Sequence, residues 1–293
     1  MRRLPKGLRS LRQSIRDMGL PGVEWLNGRA EALAYEWAAR ADADLFAEVE
    51  RFCLFVGFPR SGGSLTGALL DAHPDMAIAH ELGALRKIDQ GFSRTALYAA
   101  LMKAERKFAA NGSVNEGDAF VVPGQWQGRV RRLRVIGDKH AQSTSNWLSA
   151  DPGLLQRLAV TVEVPVRVVV VVRHPSDTIA RIARRGSMPV TDAAERYDRF
   201  ARAVEGAVAE VGSGALVVHH EDTVADPGAQ LRRLAAFLEV DAPDDWVEAC
   251  TGLVLPSPRL ARDEVDWTPA ESQQVAEMIG RFAFLQRYRP EHG

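Results

Sequence analysis

The sequence predicts an α/β fold, a three-layer sandwich with a central parallel sheet, and three observations predict it. Short continuous apolar runs recur along the 293 residues, as strands buried on both faces require. Helical patterns of apolar residues separate them, the alternation that doubly wound sheets with right-handed crossovers produce. The first run, Phe52 to Phe58, passes into G-F-P-R-S-G-G-S, Gly57 to Ser64, which fits the phosphate-loop spacing G-x-x-x-x-G-K-[ST] except at the lysine, where Gly63 stands. A strand, then that loop, then a helical pattern places the sandwich in the P-loop nucleotide-binding type.

In chain order, "MRRLPKGLRSLRQSIRDMGL" is basic and weakly amphipathic and lacks the apolar region of a secretory signal. Residues 1–45 are expected to form a basic helical extension. A solvated face is preferred for Arg2, Arg3, Arg9, Arg12 and Arg16, with weak peripheral membrane contact as the alternative. Residues 46–293 are expected to form one domain, since no internal repeat or low-complexity linker divides them. After the loop, "SLTGALLDAHP" reads as helix. Residues from about 86 to 134 resist assignment, and their second half is rich in Gly, Asn and isolated aromatics, the composition of a binding loop or lid laid over the sheet. Within it, a solvated basic face is preferred for Arg129, Arg131, Arg132 and Arg134, and a plain hydrophobic contact for Trp126.

Further strands are expected at Arg134 to Lys139, Val166 to Val172 and Ala215 to His220. Helices are expected from Thr191, opened by Thr-Asp cap chemistry, and from Asp226 and Thr268, each a cap residue followed by proline.

A net charge of -1 argues against a general nucleic-acid binder, so any anion site is local. No run approaches the roughly 20 apolar residues that span a bilayer. Cys53 and Cys250 are too few for a disulfide framework and lack the partners of a zinc site, and a reducing cytoplasm is expected.

Amides near Gly62, Gly63, Ser64 and Leu65 are expected at a helix N-terminus, where an anion binds. A triphosphate would need the missing lysine. Arg60, the cation inside the loop, suits a smaller group such as one 5'-phosphate carrying a transferable substituent. A glycine-rich turn with no ligand is the alternative. Arg173 follows the strand "VRVVVVV" and can pair a second phosphate or stand as a solvated strand-end charge.

In this order the segments resemble the sulfotransferases that use 3'-phosphoadenosine 5'-phosphosulfate (PAPS). The family loop F-P-[RK]-S-G-T-T is matched by Phe58, Pro59, Arg60, Ser61, Gly62, Gly63 and Ser64. Its R-[DN]-P-x-D is matched by Arg173, His174, Pro175, Ser176 and Asp177, and its "YEDL...DP" segment by His220, Glu221, Asp222, Thr223, then Asp226 and Pro227. Phe237 and Leu238 continue that match, which covers roughly Phe52 to Val240.

The resemblance implies in-line transfer from PAPS to a hydroxyl of a small-molecule, lipid or carbohydrate acceptor, without a metal. It implies that the loop holds the 5'-phosphosulfate and Arg173 the 3'-phosphate, and the acceptor pocket is expected in the 86–134 insertion. Gly63 departs by giving up a hydroxyl. Arg181 stands where the family has serine, so 3'-phosphate contact is expected to pass to Arg181 or Thr178. Arg259 and Arg262 stand for the family's C-terminal basic loop.

Lys139, in "GDKH" where the family often shows G-D-K-T-P, is expected with Arg60 to meet charge on the leaving oxygen. A lysine merely paired to Asp138 is the alternative. For the base, Glu81 matches the glutamate of one family branch and is preferred over His140, which is one position out of register with the histidine of another. His80 is a weaker option, and Glu81 as an ordinary salt-bridged carboxylate is the alternative to catalysis. A P-loop nucleotide kinase, disfavoured by Gly63, and a non-catalytic nucleotide-binding protein of the same fold compete with the sulfotransferase reading.

Overall fold

The apolar runs become the middle of a parallel sheet, because β-branched chains fit a pleated surface covered on both sides. The computed structural model describes residues 23–115, 117–254 and 260–289. In chain order they form α1 (Val23–Ala38), a 3-10 turn, α2 (Ala43–Ala47), β1 (Arg51–Phe55), α3 (Gly63–Asp71), β2 (Met76–His80), α4 (Ala84–Asp89) and α5 (Arg94–Ala110). Next come β3 (Val114–Asn115), β4 (Asp118–Ala119), β5 (Val135–Lys139), α6 (Ala141–Ala150), α7 (Leu154–Val162), β6 (Val166–Val172), α8 (Pro175–Gly186) and α9 (Val190–Val211). The chain continues with β7 (Ala215–His219), α10 (His220–Ala225), α11 (Pro227–Phe237), α12 (Asp244–Thr251) and α13 (Pro269–Arg281).

Five strands pair in parallel in the order β2-β5-β1-β6-β7. Alternation along each central strand divides the core between the two faces. Phe52, Leu54, Val168 and Val170 enter one apolar cluster, while Cys53, Phe55, Val169 and Val171 enter the other. This is the three-layer arrangement. It puts β1 between β5 and β6 where the chain reverses its direction of travel across the sheet, the place where such sheets bind ligands at their carboxyl ends.

β2 is an addition to the expected strands. "MAIAH" is short and contains two alanines, so its propensity is weak, and tertiary cover by α5 and pairing to β5 make it a strand. The Thr-Asp cap expected at Thr191 is corrected: α9 begins at Val190 after Pro189 and no side chain caps it. By contrast Asp226 accepts from Ala229 N at 2.9 Å, and Thr268 with Glu271 forms a capping box ahead of α13.

Helices α4 and α5 take up the first half of the 86–134 region, and the rest is loop with the two-residue strands of the β3–β4 hairpin. Gln127 pins that loop through Val122 N and the carbonyls of Phe120 and Ala68. Of the nearby arginines, Arg129, Arg131 and Arg132 are exposed and Arg134 is partly so, but each has a partner within the protein. Arg131 makes two bonds to Asp75, Arg132 pairs with Glu48 and Arg134 with Glu50, while Arg129 covers the Trp126 ring.

Ahead of the sheet, Ala32, Ala39 and Phe46 join the main core cluster. The five N-terminal arginines considered for membrane contact lie outside the described residues, as does Arg259. No described helix is long and apolar enough to cross a membrane.

Candidate active site

Every strand of the large sheet delivers a candidate residue at its carboxyl end. The loop 57–62 follows β1, Glu81 follows β2, Lys139 and His140 end or follow β5, Arg173 follows β6 and His220 follows β7. Parallel pairing therefore gathers positions far apart in sequence along one crevice.

The loop is held from below. Ser145 of α6 both accepts from Gly57 N and donates to Gly57 O, each at 2.9 Å, and Ser61 Oγ donates to Phe58 O at 3.1 Å. Arg60 sits at φ 64°, an uncommon region for a side-chain-bearing residue. Gly62, at φ 101°, is the N-cap of α3, and no side chain caps this helix, so its first-turn amides remain available to an anion. A Cβ at Gly62 would lie 2.5 Å from His220 Nδ1. Both the left-handed backbone and that contact demand glycine. Gly62→Ala is expected to lower stability by about 1–3 kcal/mol, read from the urea midpoint, and to move His220 off the loop.

A lysine from a neighbouring strand reaches the serine of the loop. Lys139 Nζ donates to Ser64 Oγ at 2.9 Å and to Glu81 Oε1 at 2.8 Å. Its stem crosses α3 at Gly67, where a Cβ would come within 2.6 Å of Lys139 Cγ. Gly63 has no such constraint: a Cβ there would meet only Lys139 Cδ at 4.0 Å. The hydroxyl lost at Gly63 is thus not a steric necessity.

Asp138 does not pair with Lys139, because adjacent strand residues face opposite sides. Its buried carboxylate accepts from Leu82 N, Gly83 N and Ala84 N at 3.0, 2.9 and 2.7 Å. These bonds hold the turn that places Glu81 at φ 61°.

Burial pushes the Glu81 carboxyl up, but the charge and hydrogen bond of Lys139 outweigh it and hold the group below its ordinary range. Burial lowers Lys139 despite Glu81. His80 stacks on Phe108 with centroids 4.0 Å apart and brings Nε2 within 3.7 Å of Glu81; burial, then the charge of Lys139, brings it down to about 4. His80 is therefore neutral at neutral pH. His140 is likewise lowered by burial, and among the described residues its Nδ1 has no hydrogen-bond partner. From β3, Asn115 Nδ2 reaches Ser64 Oγ at 3.3 Å.

At the other end of the crevice the cations crowd. Arg173 is 4% exposed and lies 3.6 Å from Asp177, which also accepts from Arg262 N at 2.9 Å. Burial, then the charges of Arg173 and Arg60, depress the ionisation of Arg181. Arg60 is depressed by burial, then by Arg185, with Arg184 and Arg173 adding to it. Thr178 is fully buried and its hydroxyl has no partner among the described residues. Arg262 also borders a cleft of about 610 Å3 with Trp267 and Tyr288.

Glu221 gives the third sequence segment a structural role. It accepts from His174 N at 2.9 Å and from Tyr288 OH at 2.6 Å, tying the end of β6 to the C-terminal region. Sequence reasoning missed Ser145, Asn115 and the bonding of Asp138, none of which stands at a fixed offset from the loop, and Gly67, whose offset is fixed but whose role depends on a lysine from another strand. His220 stood within a matched segment, but only its contact with Gly62 gives it a place in the crevice.

Residues 54–244 match the family model described as "Sulfotransferase family". Among solved structures, the chain resembles the sulfotransferase domain of the olefin synthase of Synechococcus PCC 7002, with TM-score 0.54, 18% identity, and 84% of this chain and 97% of that one covered. It also resembles sulfotransferase STF9 of Mycobacterium avium, with TM-score 0.51, 13% identity, and 96% and 87% covered. At these identities the likeness to those structures is one of fold. No curated protein matches.

Proposed function

The chain belongs to the sulfotransferase family, and from that premise we propose that it moves the sulfuryl group of PAPS to a hydroxyl of a small-molecule, lipid or carbohydrate acceptor. One observation carries the reading: a single crevice has an uncapped helix N-terminus with Lys139 at one end and mutually repelling arginines at the other. Repulsion between half-buried guanidinium groups is relieved by an anion, and PAPS offers one at each end.

The donor supplies an electrophilic sulfur and a phosphate leaving group. At the loop, the amides of Gly62, Gly63, Ser64 and Leu65 with Arg60 and the Ser61 backbone bind the 5'-phosphosulfate. Arg173, Arg181 and Arg262, with Arg259 from the same C-terminal segment, bind the 3'-phosphate. His220, packed on Gly62, lies between and borders the nucleoside.

As the acceptor oxygen bonds to sulfur, the bond from sulfur to the 5'-phosphate oxygen breaks and leaves its electron pair on that oxygen. Lys139 and the loop amides meet this charge. Glu81 takes the acceptor proton, and its ion pair with Lys139 keeps it ionised for that task. Asp138 positions Glu81 through the turn that it bonds. His140, neutral and unbonded at Nδ1, is the second candidate for the base.

Thermal melting tests the donor. Adenosine 3',5'-bisphosphate (PAP), the expected product, at about a hundred times its dissociation constant should stabilise the protein by about 2.7 kcal/mol. A shift with ATP and magnesium but none with the bisphosphate would overturn the sulfotransferase reading in favour of a nucleotide kinase.

A further inference from the structure

A second cavity, of about 910 Å3, opens between α1 and α5. None of the residues placed in the strand-end crevice is among its walls. Residues 99, 102, 103, 106 and 107 recur at helical spacing, so one face of α5 forms one wall. Tyr35 and Trp37 from α1 and Ala99 and Met102 from α5 make the lining largely apolar. The volume is that of a site for a small organic ligand.

Its charge is one-sided. Arg40, Lys103, Arg106 and Lys107 border the cavity against a single acid, Asp42. All four cations are exposed and none makes an ion pair among the described residues, whereas Arg131, Arg132 and Arg134 are each paired. Lys103 instead lies 5.1 Å over the Tyr35 ring. The negative end of α5 accounts for a cation such as Lys107 in the last turn, but not for Arg40, which comes from beyond the end of α1.

We propose that this cavity binds a single-chain anionic amphiphile, with its alkyl chain between α1 and α5 and its head group on the four cations. Apolar walls exclude a small inorganic anion as the whole ligand, and the cations disfavour a neutral hydrocarbon.

The test uses the full chain and Trp37 as reporter. Below micelle-forming concentrations, ω-bromododecanoate should quench tryptophan fluorescence saturably, and Trp37→Phe should remove that component. Each methylene added between octanoate and dodecanoate should tighten binding about fourfold while the chain still fits. The double variant Lys103→Glu, Arg106→Glu should weaken dodecanoate binding at least about tenfold and change 1-dodecanol binding less than about twofold.

Bisphosphate affinity should be unchanged in the double variant, which checks the fold and separates this site from the donor crevice. Absence of saturable quenching, quenching that persists in Trp37→Phe, or equal dodecanoate affinity in the double variant overturns the proposal. A bilayer is the other source of such a chain. Cosedimentation with phosphatidylglycerol vesicles that is lost in the double variant, without quenching by the monomer, would assign the cations to membrane lipid and overturn the amphiphile site.

Discussion

Glu81→Gln is expected to reduce turnover by about two to four orders of magnitude, the usual worth of a positioned general base, while bisphosphate affinity changes little. Glutamine can still accept from Lys139 Nζ, so the ladder from Glu81 through Lys139 to Ser64 persists without a proton acceptor at its end. Single-turnover kinetics beside bisphosphate titration separates the two effects. Retained turnover in Glu81→Gln, together with loss in His140→Ala, would transfer the base to His140.

The pH dependence has a definite sign. A base must be ionised, and Lys139 holds Glu81 below the ordinary carboxylate range against the pull of burial. The rate should therefore stay level as pH falls through the ordinary carboxylate pKa and decline only at the lower value. Lys139→Ala removes that charge, so its residual activity should decline at higher pH than in the parent.

The second large effect is expected at the arginines. Arg173→Ala should weaken bisphosphate binding by at least about thirtyfold, the cost of losing one partner of a buried charge pair, measured by calorimetry. Arg173 also neighbours the buried Asp177, so its loss should destabilise the ligand-free protein. Arg181→Ala should behave differently, because burial and the charges of Arg173 and Arg60 oppose its ionisation. Its loss should lower bisphosphate affinity and should change the ligand-free melting temperature less than the loss of Arg173. A larger effect on affinity than on stability is expected of a group kept for binding. Unchanged affinity in both variants would end the 3'-phosphate assignment.

Much of this arrangement was legible in the chain. The central strands were clear because Phe52 to Phe58 is a continuous apolar run and Val166 to Val172 is one broken only by Arg167, the pattern that a strand buried on both faces needs. The loop was clear because Gly57 and Gly62 answer local backbone requirements, at φ 143° and 101°. β2 was not legible, since two alanines in five residues carry little β-propensity and its pairing with β5 joins distant segments. The ion pairs of Arg131, Arg132 and Arg134 were not legible because their acidic partners, Asp75, Glu48 and Glu50, lie far away along the chain.

By itself the sequence determined the alternation of strand and helix, the phosphate-loop turn and the order of the motifs, because each rests on residues close along the chain. Only the tertiary structure brings a lysine to the loop. Strand alternation turns Asp138 toward the Glu81 turn and Lys139 toward Ser64, Gly67 clears the path for the lysine stem, and parallel pairing sets β5 beside β1. No local pattern encodes that meeting. It arises because neighbouring parallel strands end along the same edge, where residues 75 positions apart come within one hydrogen bond.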